Sequence, residues 1–194
     1  MDTAYAKPET LIGAALAPLD VARSAGLVVG FSLLTALAAQ IVIPIGPVPI
    51  TAQTFAVLLT GALLGSRLGA MAMVAYLIEG ASGLPFFYGG HGGIPHLLGP
   101  TAGYLIAFPA AAYITGVFAE HGWDKRFLTA AAAMAVGSLL IIACGWVVLS
   151  RFMPAAVAFQ TGVARFLVGD IIKIILAAAL LPTGWKLLNR QASA

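Results

Sequence analysis

Long apolar stretches, separated by short polar or glycine- and proline-rich breaks, run along most of the chain. A helix that crosses the hydrocarbon core of a membrane, about 30 Å thick, needs about 20 mostly apolar residues, because each residue rises about 1.5 Å. Six stretches approach that length, the second and third being shorter: Ala25–Ile43, Pro49–Leu64, Leu68–Leu84, Pro100–Ala119, Phe127–Leu149 and Val163–Leu181. Lipid offers no hydrogen-bond partners, so each backbone N–H and C=O must be paired within the protein, as in a helix. The pattern therefore predicts an all-α membrane protein, a bundle of six transmembrane helices.

Composition supports a single integral membrane domain over residues 1–194. Hydrophobic residues make up 61% of the chain and charged residues only 9%, whereas a soluble domain carries about a quarter charged residues. Residues 25–182 are expected to form the bundle and residues 183–194 a cytoplasmic tail. The polar residues 1–24 are expected either to form a short amphipathic helix on the membrane or to be loose.

The distribution of basic residues predicts the orientation. With the N-terminus inside, Arg151 and Arg165 lie outside and Lys173 lies within a span. The remaining basic residues lie on the cytoplasmic side: Lys7, Arg23, Arg67, Lys125, Arg126, Lys186 and Arg190. Cytoplasmic loops carry an excess of Lys and Arg, so both termini are expected to be cytoplasmic. No basic stripe with interleaved aromatics exists, which excludes a nucleic-acid partner; the lipid bilayer is the surface this chain meets.

The last apolar stretch contains two opposite charges, Asp170 and Lys173, with Arg165 just upstream. Residues three apart on a helix share a face. An unpaired charge at this depth costs at least about 3 kcal/mol, so the pair is predicted to face the bundle interior. It serves either as a packing salt bridge or as a polar wall for a substrate. Intramembrane ionisable residues mark functional sites, which favours the second interpretation.

Other unusual segments collect at the same, outer end in this topology. The first loop, which includes residues 47–53, ends at Gln53, an amide that either binds a ligand or caps a loop. Glu79 lies near the outer end of the third stretch and is expected to be paired internally. The third connection, residues 85–100, reads PFFYGGHGGIPHLLGP. Its aromatic residues offer an apolar wall and its glycines allow close backbone approach, so it is predicted to be a binding loop or lid rather than a re-entrant turn.

The sequence gives little support for a catalytic site or a metal site. The run Gly80–Gly83, GASG, matches the serine motif of rhomboid intramembrane proteases, with Ser82 as nucleophile. Such an enzyme needs a histidine base near the serine, yet His91, His96 and His121 all lie in predicted loops. No cysteine or carboxylate stands at metal-ligand spacing around them. We expect no catalytic residue and no metal. A purely structural protein without a ligand is a further alternative.

Three motifs, by their sequence and by their order and spacing along the chain, resemble the biotin-specific substrate-binding (S) components of energy-coupling-factor vitamin transporters. They are AAQIVIPIGPVPITAQTFAVLLTGALLGSRLGA, GLPFFYGGHGGIPHLLGPTAGYL and VGDIIKIILA, and the similarity extends from about Ala38 to Pro182. The resemblance implies a six-helix bundle that binds biotin at its outer face under loops one and three, in the inner membrane of a bacterial cell. It also implies partners, a transmembrane T component and ATPase subunits. ATP would be used only by those subunits, and the chain itself would carry no cofactor.

The same resemblance implies roles for particular residues. Asp170 and Lys173 match the polar floor of the biotin site and are expected to meet the ureido ring, while Lys173 or Arg165 could instead hold the valerate carboxylate. The resemblance also matches residues 47–53 of the first loop and the glycine-rich residues 89–93 of the third. Together with the residues singled out by their chemistry, the expected substrate-binding set is completed by Gln53, Glu79, Phe86, Tyr88, Gly90, Gly92 and Gly93. Small residues on the first helix contact the T component in the family, which assigns that role here to Ser32, Ala36 and Ala39. Ordinary packing within the bundle is the alternative for these three.

Overall fold

The computed structural model describes residues 10–16, 19–44 and 48–191, and most of them are helical. The helices are α1 (Leu11–Leu16), α2 (Val21–Ala39), α3 (Gln53–Leu64), α4 (Ser66–Ala81), α5 (Ile94–Leu97), α6 (Ala102–Glu120), α7 (Phe127–Leu149), α8 (Ala155–Phe159) and α9 (Arg165–Gln191). Two short strands, β1 (Val42–Ile43) and β2 (Ile50–Thr51), pair antiparallel, with Val42 opposite Thr51. A π-helical turn over residues 160–164 joins α8 to α9.

The six apolar stretches correspond to α2, α3, α4, α6, α7 and α9, with shifted ends. Within the described ranges, three of these helices are long and apolar enough to cross a membrane: α2, α6 and α7. Helix α3 is apolar but has 12 residues, about 18 Å at 1.5 Å per residue. The first stretch ends early, at Ala39, because Val42 and Ile43 pair with β2 instead of continuing the helix.

Helix α6 lies at the centre of the bundle and packs against α3, α4 and α7, while α9 packs against α7 and α3. Its Phe108 is buried beside Tyr76 of α4, with ring centroids 6.2 Å apart. This arrangement brings the start of α3, the middle of α7 and the first turns of α9 together. The candidate site lies there.

Both chain ends contribute helical structure. At the N-terminus α1 contacts α3 and α9, and the Thr10 hydroxyl accepts a hydrogen bond from the Gly13 N–H at 3.2 Å. Three parts of the chain that the sequence analysis discussed lie outside the described residues. They are residues 1–9 and 17–18 of the N-terminal segment, Pro47 of the first-loop motif, and residues 192–194. Helix α9 continues through Pro182 to Gln191, so residues 183–191 of the expected tail are helical.

The small residues of α2 do not form an exposed partner surface. Ser32 and Ala39 are fully buried and Ala36 is 7% exposed, because α2 turns this face towards α4 and α3. Thr35 on the same face lies 3.9 Å from the sulfur of Met73 in α4. The structure thus supports the alternative of ordinary packing within the bundle for these three residues, and their contact with a T component stays a prediction.

Candidate functional site

A buried ion pair joins three helices at one end of the bundle. Asp170 is 4% exposed, and its Oδ1 lies 3.2 Å from Lys173 Nζ one turn further along α9. The second carboxylate oxygen, Oδ2, accepts a 2.5 Å hydrogen bond from Ser138 Oγ of α7. Lys173 Nζ also donates to Thr54 Oγ1 of α3 at 2.8 Å. The prediction that this pair faces the bundle interior is confirmed.

The environment of the pair suits a polar ligand. Asp170 is only 6% exposed in its side chain, while that of Lys173 is 15% exposed. A lysine ammonium carries three N–H donors. Asp170 and Thr54 accept two of them, and the third has no acceptor among the described residues, so it is available to a ligand. The carboxylate likewise has unused lone pairs, since an ionised carboxylate can accept about four bonds. The pair thus presents a donor and an acceptor within 3.2 Å of each other.

Arg165 stands apart from this pair. It begins α9 and is exposed. Five residues turn a helix by about 500°, which places Arg165 about 140° from Asp170 around the helix axis. Any contact between Arg165 and a ligand held by Asp170 would have to come from above the ion pair.

A second hydrogen-bonded chain lies beside the first and leads to the third connection. Gln53 is 5% exposed, and its Nε2 donates to the Tyr76 hydroxyl of α4 at 2.5 Å. The Tyr76 hydroxyl in turn donates to the carbonyl of Phe86 at 3.0 Å. Thr51 Oγ1 of β2 donates to Gln53 Oε1 at 2.9 Å. Of the two roles considered for Gln53, the structure supports the loop-capping contact.

The third connection is folded back onto the bundle by Phe87. This side chain is fully buried, and its ring meets that of Tyr76 edge to face at 5.7 Å. Gly80 of α4 makes room for it, since a Cβ at that position would overlap the Phe87 ring. Gln40 at the end of α2 donates to the Phe87 carbonyl at 3.2 Å. Phe86 and Tyr88, on either side of Phe87, are half-buried.

The glycines of the third connection serve its backbone path. Gly90 and Gly93 have φ values of 76° and 94°, a region that side chains disfavour. The Gly93 N–H donates to the Gly80 carbonyl at 2.7 Å, so this N–H is engaged within the protein. A Cβ on Gly92 would overlap the backbone of Gly83 and Leu84. Close backbone approach is thus real at Gly92, but it is to the turn that follows α4.

Two histidines stack at the tip of the third connection. The rings of His91 and His96 are 4.8 Å apart between centroids, and each also meets the ring of Tyr88. Burial, together with the neighbouring His91, lowers the pKa of His96. The lowered pKa favours the neutral form of His96, and a neutral ring stacks on His91 without charge repulsion.

Glu79 differs from expectation. We expected its carboxylate to be paired internally, yet Oε2 is buried without a hydrogen-bond partner among the residues that the structure describes. Its backbone carbonyl, in contrast, accepts bonds from Ser82 Oγ at 2.7 Å and from the Leu84 N–H at 3.3 Å. The partly buried Lys173 at this end pairs with Asp170 instead.

The protease interpretation has no geometric support. The Ser82 hydroxyl is exposed and donates to the Glu79 carbonyl rather than to a histidine ring. His91 directs its Nδ1 to the Tyr88 carbonyl at 2.8 Å, and His121 directs its own to the Val117 carbonyl at 2.7 Å. A serine nucleophile requires hydrogen-bonding contact with its base.

Sequence reasoning missed four residues whose polar groups support the site: Gln40, Thr54, Tyr76 and Ser138. Ser138 stands in the middle of the most apolar helix, and that isolation was the available signal. Thr54 follows Gln53 directly, so both enter the site through the first turn of α3.

Comparisons with known proteins agree on one family. The chain matches the profile of the BioY family over residues 9–190. It is 45% identical over 160 residues to a probable biotin transporter BioY of Pyrococcus horikoshii, covering 82% of this chain and 94% of that one. It is 36% identical over 151 residues to the biotin transporter BioY of Thermotoga maritima, covering 77% and 88%.

The fold comparison agrees with the sequence comparisons. A crystal structure of the S-component for biotin from an ECF-type ABC transporter superposes with a TM-score of 0.78 and 26% identity, covering 85% of this chain and 92% of that one. Profile, relatives and fold all extend over most of the chain. The chain therefore belongs to the BioY family.

Proposed function

We propose that this protein binds biotin at the end of the bundle that carries Asp170 and Lys173, and mediates its uptake as the S component of an energy-coupling-factor transporter. The names of its relatives and of the superposed structure support biotin as the ligand. The observation that carries the proposal is the inward-facing Asp170–Lys173 pair, which contacts Ser138 of α7 and Thr54 of α3. Gln53, the residue next to Thr54, connects through Tyr76 to the third connection.

The chemistry of biotin suits that pair. Its ureido ring has two N–H donors and one carbonyl acceptor, with both kinds of group on one edge. Asp170 accepts a ureido N–H, and Lys173 donates to the ureido carbonyl through the hydrogen that Thr54 and Asp170 leave unused. Hydrogen bonds to charged groups contribute about 1.5–3 kcal/mol each. The valerate carboxylate then extends towards the loops, where the basic Arg165 begins α9.

The third connection serves as the lid of this site. Phe86 and Tyr88 provide apolar walls for the bicyclic ring, and the buried Phe87 fixes the segment to α4. Gly90, Gly92 and Gly93 set its backbone path rather than donating to biotin. Ligand pockets are mostly apolar with a few placed polar groups, which matches an ion pair beneath aromatic walls.

The membrane arrangement completes the proposal. Helices α2, α3, α4, α6, α7 and α9 form the membrane-embedded bundle, with both termini cytoplasmic and the site opening outward. The short α3 reaches only part of the way and is covered by β1 and β2. Uptake requires a transmembrane T component and ATPase subunits, as in the transporter class of the superposed structure. In a bacterial host this places the protein in the inner membrane.

Titration of the purified full chain with biotin tests the proposal. We expect saturable binding that Asp170→Asn weakens by about tenfold or more, since one charged hydrogen bond is lost. The matched control is Asp20→Asn, at an exposed carboxylate that accepts the Arg23 N–H at α2. Absence of biotin binding by the folded wild type would overturn the function. Equal affinity of the wild type and Asp170→Asn would remove Asp170 from the site.

A further inference from the structure

A groove lies on the membrane-facing side of the bundle, between α6 and α7 and away from the ion pair. It has a volume of about 450 Å³ and is lined almost wholly by apolar atoms. We call it the α6–α7 groove; its lining includes Gly103, Ile106, Ala110, Ala143, Cys144 and Val147. Both helices are long and apolar enough to cross a membrane, so the groove opens towards lipid.

The groove arises from the way the two helices meet. A Cβ on Gly103 would overlap the carbonyl of Cys144, so the two backbones are in direct contact there. Alanines at positions 110 and 143 keep the recess open, whereas Ile106 and Val147, 59% and 55% exposed, form its rims. The result is a recess with small residues inside and branched residues at its edges.

An empty recess of this kind is unfavourable, because atoms that line a void lose dispersion contacts. Association within a bilayer depends on packing rather than on the hydrophobic effect. A flexible acyl chain fills a narrow recess between branched rims better than a helix does, since a helix with side chains is about 10–12 Å across.

A basic residue, Arg151, lies three residues beyond the groove residue Val148. Arg151 follows α7, and its N–H donates to the carbonyl of Val148, a groove residue, at 2.9 Å. Arg151 is exposed, and its guanidinium has no partner within the part of the chain that the structure describes. A guanidinium binds phosphate oxygens in a bidentate manner. An apolar groove that ends at such a cation has the chemistry of a phospholipid site.

We propose that the α6–α7 groove binds one acyl chain of an anionic phospholipid whose phosphate lies at Arg151. The lipid belongs to the leaflet at the end of the bundle that also carries Asp170, because α7 ends and α9 begins there. This site is separate from the ligand site and does not depend on the biotin proposal.

Native mass spectrometry of the protein released from nanodiscs of phosphatidylcholine and phosphatidylglycerol tests the inference. We expect the wild type to retain one phospholipid, with phosphatidylglycerol preferred. Ala143→Phe fills the groove from α7 and Ala110→Phe from α6, and each should reduce retention by about tenfold through lost dispersion contacts. The matched control is Ala132→Phe, at an exposed alanine of α7 that does not line the groove; it should retain the lipid.

Arg151→Gln tests the headgroup contact separately. It should still retain a phospholipid but lose the preference for phosphatidylglycerol. Equal retention by Ala143→Phe, Ala110→Phe and Ala132→Phe would overturn the site. So would a wild-type dimer that the two groove-filling variants convert to monomer, since the occupant would then be a second copy of the chain. An unchanged headgroup preference in Arg151→Gln would overturn the assignment of the phosphate to Arg151.

Discussion

The hydroxyl of Ser138 on α7 donates a 2.5 Å hydrogen bond to Oδ2 of Asp170 on α9. Oδ1 of the same carboxylate faces Lys173. One neighbour on each side fixes the plane of the carboxylate. An acceptor held in this way can meet a ligand N–H without first reorganising, which lowers the cost of binding.

Ser138→Ala should therefore weaken biotin binding without removing a charge. Loss of one hydrogen bond to a charged group is expected to raise the dissociation constant by about tenfold. Titration of the purified protein measures it. The control is Ser150→Ala, which removes a hydroxyl at the C-terminal end of the same helix that donates to the Trp146 carbonyl. If both variants bind like the wild type, Ser138 does not position Asp170 for the ligand.

Lys173→Met should destabilise the protein more than the double variant Asp170→Asn/Lys173→Met. Removing one partner of a buried pair leaves an uncompensated charge and costs about 3–5 kcal/mol, whereas replacing both partners is often nearly neutral. Thermal unfolding in detergent, without biotin, compares the two variants. A double variant as unstable as the sum of the two single variants would show that the pair does not interact in the folded state.

The inward direction of this pair could be predicted because it depends only on helical spacing and on the cost of charge in lipid. Its hydroxyl partners could not. Thr60 and Thr115 lie in similar apolar helices and bond their own helix backbone at Ala56 and Ala111, as such residues usually do. Thr54 and Ser138 differ from these two threonines because the packing of α3 and α7 against α9 places their hydroxyls next to Lys173 and Asp170. For the same reason the spacing of Ser32 and Ala36 identified a close-packing face but not the neighbour that covers it.

Phe87→Ala should speed biotin release. The ring is fully buried against Tyr76 and Gly80, and truncation of a buried phenylalanine costs about 3–5 kcal/mol. The loss falls on the third connection, so the Gly93 amide, bonded to Gly80, should exchange with solvent faster. Stopped-flow dissociation and hydrogen exchange measure the two effects. Leu98→Ala, at a residue 72% exposed in the same segment, is the control. Equal release rates in both variants would contradict a lid fixed by Phe87.

The other end of the bundle contains a buried carboxylate with a different role. Asp124, in the turn between α6 and α7, is 2% exposed and accepts a 2.6 Å bond from Trp185 Nε1 of α9. Lys125 lies 4.6 Å from the centre of the Trp185 ring. Burial raises the pKa of Asp124 above its ordinary value of 3.8, although the bond from Trp185 and the charge of Lys125 oppose the shift.

A raised pKa means that the folded protein binds this proton more tightly than the unfolded chain does. The stability from Asp124 is thus fully present below about pH 4 and is lost as the pH rises through the raised pKa. Asp124→Asn keeps an acceptor for Trp185 and carries no charge. Its melting temperature relative to the wild type should therefore increase from about pH 4 to pH 7. A variant that is less stable than the wild type at neutral pH would mean that Lys125 and Trp185 stabilise the ionised carboxylate by more than its burial costs.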